Sequence, residues 1–399
     1  MSSSILDFVK DFSVNNKTLE STVVISFLKK YIDCYQNAKH IQREKINVKL
    51  LDIENRNDDY LNSDFVCVEA RKYIKRDYNY MLQYTIPINN RKVNVYFYIS
   101  EYNTKQIKNY NKKVLQIITI YLFLSTMSSK FCGKVTNIYI ALTPLKKMMP
   151  SNNMEVFDAK HINSAVTNGC ELNSIILIYR QEEWYKVLIH ELMHSLGLDF
   201  SHHYTERYSH ALRETLQIKS DYLVNETYCE IWATILNTLA FTYVELFQGQ
   251  SFEDIDTKLF YVMYNDNLNI ERTFSILQVA KILNHMNLKY SQLWSNNGNE
   301  KLVRRELYRE KTNVLCYFIL KQTLLLHSSL FIEWCIKHNG EKIIPFSKSS
   351  HSIISFVDEL IKLSTNKKTM VNSLYGIKIL NDISDDVLLD TCKMTILSV

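Results

Sequence analysis

Glycine and proline are scarce in this chain: 7 of the 399 residues are glycine and 4 are proline. An average globular chain of this length holds about 28 glycines and about 20 prolines. The sequence therefore offers no glycine-rich phosphate loop, no Gly/Ser linker, no collagen-like repeat and no proline-rich ligand segment. Asparagine, isoleucine, lysine and tyrosine are abundant instead, and their AT-rich codons explain much of the bias without a structural cause.

The eight cysteines form no Cys-x-x-Cys pair, and most lie in apolar runs where a free cysteine behaves as a small hydrophobe. This pattern argues against a disulfide framework and against a four-thiolate zinc site. It predicts a reducing, cytoplasmic or other intracellular compartment. No secretory signal is evident, and the longest apolar run, 115–127, is too short for a membrane span.

The charge is mild, with a formal net value of +5, and the basic residues are scattered rather than clustered. We therefore expect no nucleic-acid partner, because nucleic-acid binding proteins gather their lysines and arginines on one face. A hydrophobic share of 46% with 22% charged residues is typical of an ordered soluble protein. The sequence leaves the oligomeric state open.

Hydrophobic patterning predicts a mixed first half and a helical second half. The segment 145–172 has little periodicity and is predicted to be a long loop. Strands are predicted over 65–73, 80–88, 92–100, 135–142 and 173–179, with a hairpin turn at 89–91. Helices are predicted over 4–43, 111–127, 182–196, 205–219, 221–248, 270–294, 304–337 and 351–364.

The helix predicted over 182–196 contains the motif His190-Glu191-x-x-His194, followed by Gly197. Histidines four residues apart lie on one helix face, so both imidazoles can reach one ion, while Glu191 is offset towards an attacking water. A strand before the helix, an apolar opposite face and a glycine at its end favour this interpretation. The sequence therefore predicts one catalytic Zn²⁺ with His190 and His194 as ligands and Glu191 as general base.

A catalytic zinc ion needs a third protein ligand, for which several residues compete. The run Asn225-Glu226-x-x-x-Glu230 lies on the helix predicted over 221–248, and its two acids share one face. Two acids on a largely apolar helix need a partner, and a dication is a good one. Glu226 would then bind zinc, and Glu230 would accept the second N–H of a ligand histidine, although Glu230 could itself be the ligand. The other candidates are Asp199, His202 and His203.

The 190–194 and 225–230 motifs together resemble the gluzincin branch of zinc metallopeptidases, whose second motif is Asn-Glu-x-x-x-Asp. The chain departs from that pattern in having glutamate at position 230 and a longer gap between the motifs. Gly197 instead resembles the metzincin pattern, but the third histidine of that pattern would fall at residue 200, which is Phe200.

Residues 178–201 also resemble a family of uncharacterised zincin-like proteins of large DNA viruses. The resemblance runs from about residue 60 to 335 and is strongest over 135–245. It implies a zincin fold and a virus-encoded, virion-associated protein, but it supplies no substrate.

We therefore predict an α+β fold: a zincin-like catalytic core, made of a mixed sheet plus an active-site helix, with a mostly helical C-terminal half. The predicted units are an N-terminal helical segment 1–43, a catalytic core 44–250 and a helical region 251–399 that packs on the core.

The predicted activity is that of a zinc metalloprotease, in which a zinc-activated water attacks a peptide or protein substrate and Glu191 serves as general base. Strand 173–179 is predicted to be the edge that pairs with substrate. The alternative is a catalytically silent structural or virion protein with a closed four-ligand site. Candidate donors to the developing oxyanion are His203, Tyr204, His210, Tyr222 and His285.

Overall fold

The computed structural model describes residues 18–53, 59–384 and 386–399. The helix predicted over 4–43 is present as α1, Ser21–Glu44, and residues 4–17 of that prediction lie outside the described residues. The buried residues of α1 recur at helical spacing, from Val24 through Leu28 and Ile32, so one face of the helix packs into the core.

A six-stranded mixed sheet occupies the N-terminal half, in the order β1-β2-β3-β4-β6-β5. Strand β4 pairs in parallel with both β3 and β6, and the other pairs are antiparallel. The strands are β1 (Asn47–Asp52), β2 (Tyr80–Ile88), β3 (Arg91–Ile99), β4 (Val135–Ile140), β5 (Ala165–Thr167) and β6 (Asn173–Ile178).

Helices pack on both faces of the sheet and make up most of the C-terminal half. The first group is α2 (Val68–Asp77), α3 (Thr104–Ser125), α4 (Ala159–Ile162), α5 (Trp184–Ser195), α6 (Glu206–Leu216) and α7 (Val224–Phe247). The second group is α8 (Thr257–His285), α9 (Tyr290–Trp294), α10 (Gly298–Leu307), α11 (Lys321–Leu326), α12 (Ser328–Asn339), α13 (Ser350–Ser364), α14 (Lys367–Asp382) and α15 (Asp386–Asp390). A π-helical segment, Leu315–Leu320, leads directly into α11.

Two helices position the predicted site, and we call α5 the motif helix and α7 the glutamate helix. The motif helix packs against β5, β6, α3 and the glutamate helix. All twelve of its residues are buried, as expected for a helix that is covered on every side. The α+β prediction is confirmed, while the domain boundaries at 43 and 250 stay a prediction.

Several local predictions are wrong. Residues 68–77 form a helix rather than a strand, because Ala70 and Ile74, four residues apart, are the buried positions. The predicted loop 145–172 contains the short elements α4 and β5, and β1 and α14 were not predicted. The helix predicted over 304–337 is divided into several pieces, with a bend of 92° between Leu315–Leu326 and Ser328–Asn339.

In the described part of the chain, no single helix is long and apolar enough to cross a membrane. The bent pair Leu315–Leu326 and Ser328–Asn339 meets the length and composition test only when its two pieces are taken together.

Cys132 and Cys170 form a disulfide bond, so the expectation of free thiols is wrong for this pair. The bond joins the segment before β4 to the turn between β5 and β6. The other six cysteines are free, and five of them are buried. The predicted compartment stays a prediction.

Candidate metal centre

The motif helix begins and ends in tightly bonded turns. At its start, Glu183 precedes the helix instead of lying in its first turn, and its carboxylate pairs with Lys147 at 2.7 Å. At its end, the N–H of Gly197 donates to His194 and the N–H of Leu198 donates to Met193. This is the bonding of a Schellman cap, and Gly197 has the left-handed φ of +62° that such a cap requires.

Three predicted ligand atoms converge between the two helices. His190 Nε2 lies 3.1 Å from His194 Nε2 and 3.1 Å from Glu226 Oε2, and His194 Nε2 lies 3.4 Å from Glu226 Oε2. A tetrahedral zinc ion with bonds of about 2.0–2.1 Å separates its ligand atoms by about 3.3 Å. The triangle therefore has the size that one such ion requires, and these three residues could hold a metal ion.

A carboxylate lies beside the far nitrogen of each histidine. His190 Nδ1 lies 3.0 Å from Glu230 Oε1, and His194 Nδ1 lies 2.9 Å from Asp199 Oδ2. A carboxylate in this position favours a proton on Nδ1 and leaves Nε2 free as a metal ligand. Glu230 thus lies beside one predicted ligand histidine and Asp199 lies beside the other, and the roles of both carboxylates stay predictions.

Charge strongly favours a cation at this centre. Burial lowers the pKa of His190, but Glu226 and Glu230 outweigh burial and raise that pKa to about 9. Burial raises the pKa of Glu191, and the neighbouring His190 and His194 act in the opposite direction. The acids Glu191, Asp199, Glu226 and Glu230 lie around the two histidines, and the buried ammonium of Lys186 pairs with Glu230. A dication at the converging nitrogens would offset the negative charge of these acids.

A cavity of about 320 Å³ opens onto the three ligand residues. Glu191 lines it beside His190 and His194, and Tyr317 faces them from the π-helical segment. Phe65, Asn168, His202, Leu223 and Asn313 contribute to the remaining walls. A larger cavity of about 520 Å³ lies at the other end of the motif helix and contains none of the three ligand residues.

The alternative third ligands lie elsewhere. Asp199 is buried against the Nδ1 side of His194, opposite the converging nitrogens. His194, Asp199 and Cys229 form a second group that could hold an ion, and Cys229 Sγ lies 3.8 Å from His194 Nδ1. His202 is exposed on the cavity wall, and His203 is exposed outside it.

The residues predicted as oxyanion donors point away from the cavity, whereas Tyr317, which the sequence did not single out, points into it. Tyr204 donates to the Tyr222 carbonyl, Tyr222 donates to the Ile218 carbonyl, and His285 bonds to the Glu155 carbonyl. His203 and His210 are exposed and do not line the cavity. The Tyr317 hydroxyl donates to Glu226 Oε2 over 3.1 Å. No sequence motif marks it, although π-helical segments often occur at functional sites.

Strand β6 is not the sheet edge, so the prediction for 173–179 is wrong. It pairs with β4 on one side and with β5 on the other. The edge strand on this side of the sheet is β5, which ends beside the cavity, and β1 forms the other edge. Ser164 and Asn168 bond towards β6, and main-chain groups alternate along a strand. The N–H and C=O groups of Ala165 and Thr167 are therefore directed outwards.

Comparison with family models, with curated proteins and with solved structures finds no match for this chain. The resemblance to gluzincins thus rests on the two motifs. The geometry adds a buried His190/His194/Glu226 group that could bind a metal ion whose identity is open.

Proposed function

We propose that this protein is a zinc-dependent peptidase. The observation that carries the proposal is the convergence of His190, His194 and Glu226 beside Glu191, on the wall of a cavity that reaches the free edge of β5. These are the parts that metal-assisted hydrolysis of an extended peptide requires.

The ligand count supports a catalytic site over a closed structural one. Within the described residues, the group at the converging nitrogens consists of three side chains. Structural zinc sites are almost always closed by four protein ligands, whereas catalytic sites keep one position open. The open side of this group faces the cavity that Glu191 also lines.

When bound, zinc would polarise the scissile carbonyl and lower the pKa of water at the site towards about 7. Glu191 follows His190 directly in the helix, and its carboxylate is buried at the cavity wall. We assign it the removal of a proton from the attacking water and the return of that proton to the leaving amine.

Strand β5 is the proposed docking edge for substrate. The outward main-chain groups of Ala165 and Thr167 can pair with an extended peptide, as an added strand does. Asn313 lies on a neighbouring wall, and the amide of Asn168 is bonded within the turn between β5 and β6. This arrangement suits an unfolded or flexible protein segment.

Metal analysis and peptide cleavage test the proposal together. The wild type should hold about one zinc per chain and cleave members of a diverse peptide library. Glu191→Gln should keep the zinc and lose cleavage by about 10²–10⁴-fold, the usual contribution of general acid–base catalysis. Glu214→Gln, at an exposed acid on α6, is the matched control and should cleave like the wild type.

A wild type that takes up no divalent metal would refute the proposal. Full zinc occupancy without cleavage of any library member would favour the catalytically silent alternative. Equal cleavage by wild type and Glu191→Gln would remove Glu191 from the mechanism.

A further inference from the structure

Ionisable side chains of the motif helix and the glutamate helix alternate along the interface between the two helices. The motif helix contributes Lys186, His190 and His194 at intervals of four residues, which places them on one face. Glu226 and Glu230 of the glutamate helix fit between them. Of these five side chains, Lys186 is the one that lies outside the 190–194 and 225–230 motifs.

Lys186 is 1% exposed and forms an ion pair with Glu230 Oε2. The other oxygen of that carboxylate, Oε1, lies 3.0 Å from His190 Nδ1. Each oxygen of Glu230 thus has its own neighbour, Lys186 at Oε2 and His190 at Oε1.

We propose that Lys186 is a positioning residue for the metal site: by holding Glu230, it orients the imidazole of His190 towards the ion. The proposal rests on the metal site of the proposed function. Without the ammonium, the buried Glu230 carboxylate loses the contact that holds its Oε2 and is free to turn towards another donor. That movement removes the fixed acceptor at His190 Nδ1 and with it the orientation of the ring.

Within the described residues, Lys186 is the lysine in an ion pair with Glu230. Lys321 acts on Glu230 from a greater distance and donates to the main-chain oxygen of Met394 at 2.9 Å. Lys147 pairs with Glu183, which binds the N–H groups of Met394 and Thr395. Lys147 is as buried as Lys186, but its ion-pair partner is Glu183 and not one of the carboxylates beside His190 or His194. It therefore offers a matched control.

The experiment measures zinc affinity in the full chain by competition with a chromophoric chelator, together with the visible spectrum of the Co²⁺-loaded protein. Lys186→Met should bind zinc about 10–100-fold more weakly, the usual effect of losing an outer partner of a ligand. Its Co²⁺ bands should shift in position and intensity.

Two further variants separate positioning from general damage. Lys147→Met breaks another buried ion pair and should lower the melting temperature while keeping wild-type zinc affinity. Glu230→Gln should weaken zinc binding by itself, and adding Lys186→Met to it should cause no further loss, because Lys186 acts through Glu230.

Equal zinc affinity in wild type and Lys186→Met would overturn the proposal, and so would an equal loss in Lys147→Met or additive losses in the double variant. Zinc binding with the expected ratios but without peptide cleavage would overturn the proposed peptidase and support this inference. A wild type that binds neither zinc nor Co²⁺ would overturn both.

Discussion

Gly197 and Cys132 lie so close together that no side chain fits between them. A Cβ built on Gly197 would be 2.7 Å from Cys132 Sγ, a distance at which one of the two atoms must move. Cys132 is bonded to Cys170, which lies in the turn between β5 and β6. The end of the motif helix, three residues after His194, is thereby packed against the hairpin that carries the proposed substrate edge.

Gly197→Ala should lower the free energy of unfolding by about 2–4 kcal/mol, because it combines a left-handed φ with overpacking. Gly249→Ala is the control, since Gly249 also has a positive φ but no atom within 4 Å of its Cβ position. It should lose only about 1–2 kcal/mol, the cost of the backbone conformation. Urea unfolding measures both, and equal losses would show that the contact with Cys132 is unimportant.

Glu226→Gln should reduce zinc affinity at least about 100-fold, because an amide supplies neither the charge nor the anionic oxygen of the carboxylate. Zinc content after dialysis against a chelator is the measurement. Glu245→Gln, at an exposed acid on the same helix, should retain the metal. An unchanged zinc content in Glu226→Gln would mean that the third ligand is Asp199, His202 or His203.

Tyr317→Phe should weaken zinc binding about 10–100-fold, the value of one hydrogen bond to a charged group. The change removes the hydroxyl that donates to Glu226 Oε2 and leaves the ring beside His190. Tyr204→Phe removes a hydroxyl that bonds the Tyr222 carbonyl instead, so it should bind zinc like the wild type. The assignment of Tyr317 to the centre fails if the two variants behave alike.

His327 should make the fold acid-sensitive. Burial, with help from the charge of Lys368, lowers the pKa of His327 to about 4, and His327 Nε2 lies 2.8 Å from Thr369 Oγ1. The pKa in the unfolded chain is about 6.5, so the folded state favours the neutral ring. This stabilisation is complete above about pH 6.5 and is lost as the pH falls towards 4.

Lowering the pH from 7.5 to 5.0 should therefore cost about 2 kcal/mol of unfolding free energy through this residue. Urea unfolding at both values should show that His327→Gln, which cannot take up the proton, has a smaller difference than the wild type. His40→Gln, at an exposed histidine, should keep the wild-type difference. An unchanged difference in His327→Gln would assign the acid sensitivity to other groups.

The parts of the centre that follow helical periodicity could be predicted from the sequence. His190 and His194, and likewise Glu226 and Glu230, are four residues apart on long apolar helices, so each pair had to share a face. The α+β order followed from patterning for the same reason, since strands of six to nine residues and helices of twelve or more give clear periods.

The parts that depend on tertiary packing could not be predicted. Lys186 and Tyr317 reach the centre only because a second helix or a π-helical segment packs beside the motif helix. Strand β5 has three residues, too few for a period, so the sequence pattern indicates its longer partner β6 as the edge. The Cys132–Cys170 bond has no spacing signature because it joins two turns.

The convergence of ligand residues from two different helices has a thermodynamic consequence. His190 and Glu226 are 36 residues apart in sequence, so an ion held between them is a reversible cross-link that exists only in the folded chain. By mass action, an ion at 100 times its dissociation constant adds about 2.7 kcal/mol to the unfolding free energy. The melting temperature of this protein should therefore rise with the free-ion concentration. Measuring it over a series of ion concentrations reports how tightly the centre binds the ion.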